Sequence, residues 1–125
     1  MVEKLPNLSS LNIELYGCKT TKLSDRNYIR NFLYNLPSEI GMRRIGKPLV
    51  YRTEDPETMQ GFVMLAESHA FIYAWPDYKF GYVGILSCKT FDTVKASKSI
   101  AKKFDAKQYK KKNIAKLETY LYDDL

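Results

Sequence analysis

Histidine is almost missing from this sequence, since His69 is the single one among 125 residues. A zinc site built from several histidines therefore cannot form within one chain. A hydrolase triad would have to use His69 together with its neighbour Ser68. Side chains of adjacent residues diverge, especially on a strand, which disfavours that arrangement.

Cysteines and long apolar runs are also scarce. Cys18 and Cys88 lie far apart and form no CxxC pair, which is typical of two free thiols in a reducing compartment. No apolar run approaches the roughly 20 residues that a membrane-spanning helix needs. Residues 1–6 contain no apolar signal-peptide stretch. The sequence therefore predicts a cytoplasmic protein with no membrane partner.

Arginine is absent from the most basic part of the chain, residues 95–116, although the formal net charge of the whole is +6. Specific nucleic-acid binding usually relies on arginine and on stacking aromatic rings. This segment supplies lysines with only Phe104 and Tyr109 between them. We therefore expect a solvated lysine-rich helix face and loop, and no nucleic-acid partner.

Length and composition indicate one globular domain over residues 1–125. Hydrophobic residues make up 45% of the chain and charged residues 27%, which separates it from disordered sequences. No internal repeat, low-complexity tract or linker divides it. A chain of this length can bury a core without disulfide bonds.

Strand and helix patterns alternate along the chain. Residues 11–16 alternate apolar and polar side chains, which predicts a half-buried strand. Ser24 is predicted to cap a first helix that Pro37 ends, and Asp92 to cap a second helix running to Phe104. Further strands are predicted at residues 62–66, 70–74 and 80–87, with a short one at 49–52 in the turn-rich segment 48–60, while residues 114–122 fit either strand or helix.

The predicted fold class is α+β, a two-layer sandwich in which helices cover one face of a mainly antiparallel sheet. The residues expected to face the sheet from the two helices are Tyr28, Ile29, Phe32, Leu33 and Leu36, then Val94, Ala101 and Phe104. The second sheet face would need a partner, because its strands are also rich in apolar residues. A homodimer is the simplest way to supply one.

Five short motifs carry a family resemblance. They are ELYGC at residues 14–18, LAESH at 65–69, IYAWPD at 72–77, GY at 81–82 and LSC at 86–88. The series resembles the bacterial and archaeal S-adenosylmethionine decarboxylases, in which the cleavage-site motif is typically followed by IHTWPE. The resemblance covers about residues 11–104, and the spacing from the serine through Trp-Pro to the cysteine is its specific part.

The resemblance implies a proenzyme that cleaves itself. The hydroxyl of Ser68 would attack the carbonyl of Glu67, and elimination and hydrolysis would leave a pyruvoyl group from Ser68, a cofactor that needs no metal. That group would act as the electron sink for decarboxylating S-adenosylmethionine, which supplies spermidine biosynthesis. Cys88 matches the cysteine that returns a proton to the product. Asp77 matches the glutamate that binds the ribose hydroxyls, and Trp75 fits either a pocket wall or plain core.

Some positions depart from the family pattern. Tyr73 stands where the family has the histidine that supports self-processing, and a phenol with a pKa near 10 is a poor base at neutral pH. Gln60 or Met59 stands where a serine assists the same step. The Gly-x-His near the family's N-terminus is absent as well. Two alternatives follow: an uncleaved, catalytically silent relative that acts as a binding or regulatory partner, or a pyruvoyl-dependent arginine or ornithine decarboxylase.

Overall fold

A six-stranded sheet with three helices forms residues 8–114, which are the residues that the computed structural model describes. In chain order the elements are β1 (Ser9–Tyr16), α1 (Thr20–Leu23), α2 (Arg26–Glu39), β2 (Arg44–Thr53), β3 (Thr58–Leu65), β4 (Ser68–Trp75), β5 (Phe80–Ser87), α3 (Thr93–Lys103) and β6 (Gln108–Ile114). The strand order is β2-β3-β4-β5-β1-β6, and every neighbouring pair is antiparallel. The α+β prediction is confirmed. No helix within residues 8–114 is long and apolar enough to cross a membrane.

One face of the sheet is buried under the helices. Along β1 the buried side chains alternate with half-buried ones, so that Leu11, Ile13 and Leu15 point into the core. Helix α2 adds the predicted stripe of Ile29, Phe32, Leu33 and Leu36, all buried, with Tyr28 packed at its edge. The helix approaches β3 closely, because a Cβ at Gly61 would lie 2.6 Å from Leu33 Cδ1.

The opposite face, which we call the open face, has no helix over it among the described residues. Strand register assigns Phe62, Phe71 and Tyr73 to this face, since these residues alternate with buried ones along β3 and β4. At the β2 edge, Leu49 is 71% exposed and Tyr51 69%. An apolar surface of this kind is unusual for a chain that stays alone in water.

Helix α2 differs from the prediction at both ends. Its cap is Asp25, not Ser24, because the Asp25 carboxylate accepts hydrogen bonds from the N–H groups of Asn27 and Tyr28. Pro37 lies inside the helix, which continues to Glu39. Proline removes one helical hydrogen bond, but here the helix runs only two residues further and Pro37 is itself buried in the core.

Other differences concern strands and helix α3. The turn-rich segment predicted at residues 48–60 belongs mostly to β2 and β3, with a turn at residues 54–57 between them. Val94 is 51% exposed, and the buried side of α3 is formed by Ala96, Ser97, Ile100 and Ala101. The lysine-rich residues 108–114 form the edge strand β6 and not a helix or loop. Beyond residue 114, the segment predicted as strand or helix lies outside the described residues.

Candidate active site

The candidate cleavage position lies in the tight turn between β3 and β4. Leu65 pairs with Ser68 across this hairpin, which leaves Ala66 and Glu67 as the two turn residues. Glu67 has a φ of +62°. Residues other than glycine seldom adopt this left-handed conformation, and such positions concentrate at functional sites. The peptide bond that joins Glu67 to Ser68 therefore follows a strained residue.

Three predicted site residues meet at this turn. The backbone N–H of Cys88 donates to Ser68 Oγ at 3.2 Å, and Ser68 Oγ lies 3.9 Å from Cys88 Sγ, to which it donates. Cys88 Sγ donates in turn to Glu67 Oε2 at 3.4 Å. The serine hydroxyl, the thiol and the carboxylate thus form one continuous hydrogen-bonded chain, with Ser68 and Cys88 both half-buried.

Strand pairing explains why these residues meet. Strand β4 pairs with β5 in the register of His69 opposite Leu86, so Cys88, just past the end of β5, comes level with the β3–β4 turn. The segment after β5 is held by Ser87, whose hydroxyl is buried and bonds both the N–H and the carbonyl of Lys89. Ser9 donates to the same Lys89 carbonyl at 3.2 Å.

Ser9 and Ser87 were not singled out in the sequence as site residues. Their position beside Cys88 depends on the pairing of β1 with β5, and nothing local in the sequence signals that pairing. Ser9 Oγ donates to the backbone carbonyls of Ser87 and Lys89, the residues on either side of Cys88.

The remaining predicted residues lie at the other end of β4. Trp75 is the last residue of the strand, and Asp77 lies exposed in the one-turn 3₁₀ helix Pro76–Tyr78 that follows. Ser68 and Trp75 are the two ends of this eight-residue strand, and seven steps along a strand correspond to roughly 23 Å. One chain therefore does not bring Ser68 together with Trp75 or Asp77.

Tyr73 also points away from the turn. It lies on the open face, directly opposite Gln60 on β3 and Tyr82 on β5, and its ring is 5.2 Å from that of Phe71. Met59 points to the core and is fully buried. Of the two residues considered for the missing serine, Gln60 is thus the one that shares a face with Tyr73.

The comparisons with known proteins point to one family. The family model for S-adenosylmethionine decarboxylase matches residues 9–116. The S-adenosylmethionine decarboxylase proenzyme of Archaeoglobus fulgidus is 30% identical over 98 residues, which are 78% of this chain and 86% of the relative. That of Carboxydothermus hydrogenoformans is 30% identical over 95 residues, 75% of this chain and 73% of the relative. This chain belongs to the S-adenosylmethionine decarboxylase family.

The fold of the family is also seen in a solved structure. The crystal structure of the adenosylmethionine decarboxylase from Aquifex aeolicus superposes with a TM-score of 0.77. The match covers 96% of this chain and 98% of that one at 19% sequence identity, and thus concerns the fold alone. The two-layer arrangement predicted from the sequence is therefore the arrangement of this decarboxylase family.

The two thiols of this family member lie in different environments. Cys18 is buried, and burial, with a smaller contribution from the negative charge of Asp105, raises the pKa of its thiol to about 11. A thiol of that kind stays protonated and inert at neutral pH. Cys88 is half-buried and touches Ser68. Within residues 8–114, no group of three or more His, Cys, Asp or Glu side chains is placed to hold a metal ion.

His69 follows Ser68 in sequence but lies on the open face. Its imidazole stacks on the ring of Phe62, with centroids 5.6 Å apart, and lies 6.4 Å from the Phe71 centroid. The two side chains diverge, because Ser68 at the start of the strand turns its Oγ to Cys88. Among the hydrogen bonds of residues 8–114, none joins His69 to Ser68.

Proposed function

We propose that this chain is an S-adenosylmethionine decarboxylase proenzyme that cleaves itself between Glu67 and Ser68. The observation that carries the proposal is the meeting of Glu67, Ser68 and Cys88 at one hairpin turn. Cleavage at this turn would leave β3 and β4 joined, because their backbone hydrogen bonds do not involve the broken peptide bond. The strained conformation of Glu67 would be released when its peptide bond to Ser68 breaks.

In the first step, Ser68 Oγ adds to the carbonyl carbon of Glu67, and the bond from that carbon to the Ser68 nitrogen breaks to leave an ester. The hydroxyl proton must leave as the new bond forms. The acceptor that faces it is Cys88 Sγ, which in turn donates to the Glu67 carboxylate. Loss of the Ser68 Cα proton would then break the Cβ–Oγ bond and release Glu67 with a new α-carboxylate at its C-terminus. The dehydroalanine left at the new N-terminus would tautomerise to an imine, take up water and release ammonia, which leaves the pyruvoyl group.

The residues around Ser68 fit the role of the cofactor's surroundings. The pyruvoyl group supplies an electron sink when a substrate with an amine is decarboxylated. Ser68 Oγ leaves with Glu67 in these steps, so the Cys88 backbone N–H that now donates to this oxygen would be free to bind the pyruvoyl group. The Cys88 thiol, within 3.9 Å of the same oxygen, is placed to return a proton to the substrate carbon.

A second subunit is needed to complete this site. Consider two copies whose open faces pack together around a two-fold axis that runs between the sheets and perpendicular to the strands. Each β4 then lies over the other in reversed direction, so the Ser68 end of one chain faces the Asp77 end of its partner. We propose this homodimer, with S-adenosylmethionine bound between Ser68 of one subunit and Trp75 and Asp77 of the other.

One observation favours a second candidate function, an uncleaved family member that acts as a binding or regulatory partner. Tyr73 and Gln60 form a cross-strand pair at the positions where the family has its processing histidine and serine. Neither side chain is a good base or nucleophile at neutral pH. If this candidate is correct, Tyr73→His together with Gln60→Ser should start cleavage in a chain that otherwise remains whole.

Intact-mass measurement of the purified protein separates the two candidates. Self-cleavage predicts two fragments, residues 1–67 and residues 68–125, with the second blocked at its N-terminus. The Ser68→Ala variant is the control and should remain at 14.5 kDa. A wild-type chain that also stays at 14.5 kDa would exclude the proenzyme. Release of carbon dioxide from S-adenosylmethionine, arginine and ornithine then identifies the substrate of a cleaved protein.

Mixing two inactive variants tests the shared site. Ser68→Ala and Asp77→Ala each damage a different half of it, so each homodimer should be inactive. A mixed dimer regains one intact site, and random exchange should restore about a quarter of wild-type activity. If the mixture stays inactive although subunits exchange, the two residues do not meet across the dimer.

A further inference from the structure

Two buried serine hydroxyls lie beside Cys88 and take no part in the chemistry proposed above. In the part of the chain that the structure describes, the buried polar side chains are Ser9, Ser87 and Ser97. Ser97 donates to the backbone one turn earlier in α3, which is a common contact within helices. Ser9 and Ser87 instead bind the segment that carries Cys88. Since a buried hydroxyl costs free energy unless it is hydrogen-bonded, these contacts restrict that segment.

The Ser87 hydroxyl closes a hydrogen-bonded ring around Cys88. Its Oγ donates to the Lys89 carbonyl at 2.7 Å and accepts from the Lys89 N–H at 2.9 Å. Ser9 shares its one hydroxyl hydrogen between the same carbonyl, at 3.2 Å, and the Ser87 carbonyl, at 3.5 Å. The backbone on both sides of Cys88 is thus held by hydroxyl groups. We call Ser9 and Ser87 the serine pair.

The contacts that Cys88 makes depend on the orientation of this segment. Its backbone N–H donates to Ser68 Oγ at 3.2 Å, and its Sγ donates to Glu67 Oε2 at 3.4 Å. Strand β5 ends at Ser87, so the pairing of the sheet does not extend to Cys88. A rotation of the backbone at Cys88 would therefore move its N–H and its thiol away from the β3–β4 turn together.

We propose that the serine pair, Ser9 and Ser87, consists of positioning residues that hold the Cys88 thiol and N–H toward Ser68. The two serines lie on opposite sides of the Glu67–Ser68 bond in sequence and face each other across β1 and β5. Their contacts would therefore join the two fragments of a cleaved chain. The consequence for decarboxylation rests on the proposed function, whereas the consequence for the thiol does not.

The rate at which iodoacetamide alkylates Cys88 tests the proposal without any catalysis. The full-length Ser68→Ala chain is used, because it stays whole. In this chain, Ser87→Thr and Ser87→Val have the same shape and differ in the hydroxyl. We expect Cys88 to react about 2- to 10-fold faster with valine than with threonine, as for the loss of one hydrogen bond. Cys18 is the internal control, because it is buried and should react slowly unless the whole chain unfolds.

The second serine has a matched control on the same strand. Ser9→Ala should also speed the alkylation of Cys88, whereas Ser10→Ala should not, because the Ser10 hydroxyl accepts from Asn12 instead. Equal rates for Ser87→Val and Ser87→Thr would overturn the proposal. A rise at Cys18 that parallels the rise at Cys88 would overturn it too, since the hydroxyls would then stabilise the fold as a whole.

Decarboxylation by a chain that cleaves itself adds a kinetic test, with Ser68 intact. Per cleaved molecule, Ser87→Val should have a kcat about 10- to 100-fold below that of Ser87→Thr, with little change in KM, because only the thiol is displaced. Equal kcat values would overturn the positioning role. A wild-type chain that never cleaves would refute the proposed function, and the alkylation rates alone would then decide whether the serine pair holds Cys88.

Discussion

Gly84→Ala tests whether the open face is covered by a second subunit. A Cβ at Gly84 would lie 2.3 Å from two ring carbons of Phe71 and 3.1 Å from Asn12 Oδ1. Carbon atoms in contact sit about 3.5–4.0 Å apart, so the Phe71 ring would have to move by more than about 1 Å. In an isolated chain the ring can swing toward solvent at little cost. Against a packed partner, such overpacking costs about 1–3 kcal/mol.

We expect the Gly84→Ala dimer to dissociate more readily, while the free energy of unfolding of the single subunit stays the same. A cost of about 1–3 kcal/mol raises the dissociation constant at least about fivefold, which sedimentation over a concentration series measures. Gly81→Ala is the control on the same strand, because its Cβ would face the core with its nearest neighbour at 3.6 Å. The reasoning is wrong if Gly84→Ala dimerises like the wild type, or if the wild type is monomeric at every concentration.

Three further predictions concern the site and the core. Cys88→Ala should cut decarboxylation about 10²–10⁴-fold and should also slow cleavage, because the sulfur that faces the Ser68 hydroxyl is lost. Cys18→Ala should affect neither reaction in the same assays. Gly61→Ala should lower the free energy of unfolding, measured in urea, by about 1–3 kcal/mol, because its Cβ would lie 2.6 Å from Leu33 Cδ1 on α2. Gly81→Ala is the control and should lose less than about 1 kcal/mol. A loss that small for Gly61→Ala would contradict the prediction. The free energy of unfolding should also fall as the pH rises from about 8.5 to 11. Burial raises the pKa of the Cys18 thiol to about 11 in the folded chain, whereas a thiol in the unfolded chain has a pKa near 8.5. The unfolded chain therefore loses its proton first, which favours unfolding over this pH range. A Cys18→Ala chain with the same alkaline loss would refute that assignment.

The sequence predicts strands and helices correctly where apolar alternation or a capping residue determines them locally. Strand β5 has the predicted bounds, and helix α3 the predicted cap at Asp92, because alternation and capping chemistry decide them locally. Strand β6 is the counter-example. Its lysines indicate a solvated segment, which is correct, but pairing with β1 turns that segment into an edge strand. Lysines suit such an edge, since they discourage further strands from adding to it.

The candidate site was predicted as a set of residues but not as a geometry. The family resemblance implied a common site for Glu67, Ser68 and Cys88, and the structure brings these three residues into contact. The same motifs also placed Tyr73 and Asp77 in that site, yet these lie along β4 and beyond its far end. Distance along the sequence does not reveal this, because a strand turns a separation of a few residues into a long distance in space.

The structure of β4 therefore limits what this chain can do alone. Its first residue has a hydroxyl, a thiol and a carboxylate around it, which are the groups for breaking a peptide bond and moving a proton. The candidate substrate-binding groups Trp75 and Asp77 lie roughly 23 Å away. Between the two ends the strand presents aromatic side chains on a face that no described helix covers. The proposed two-fold partner would bury this aromatic surface and would also place Asp77 of one chain near Ser68 of the other.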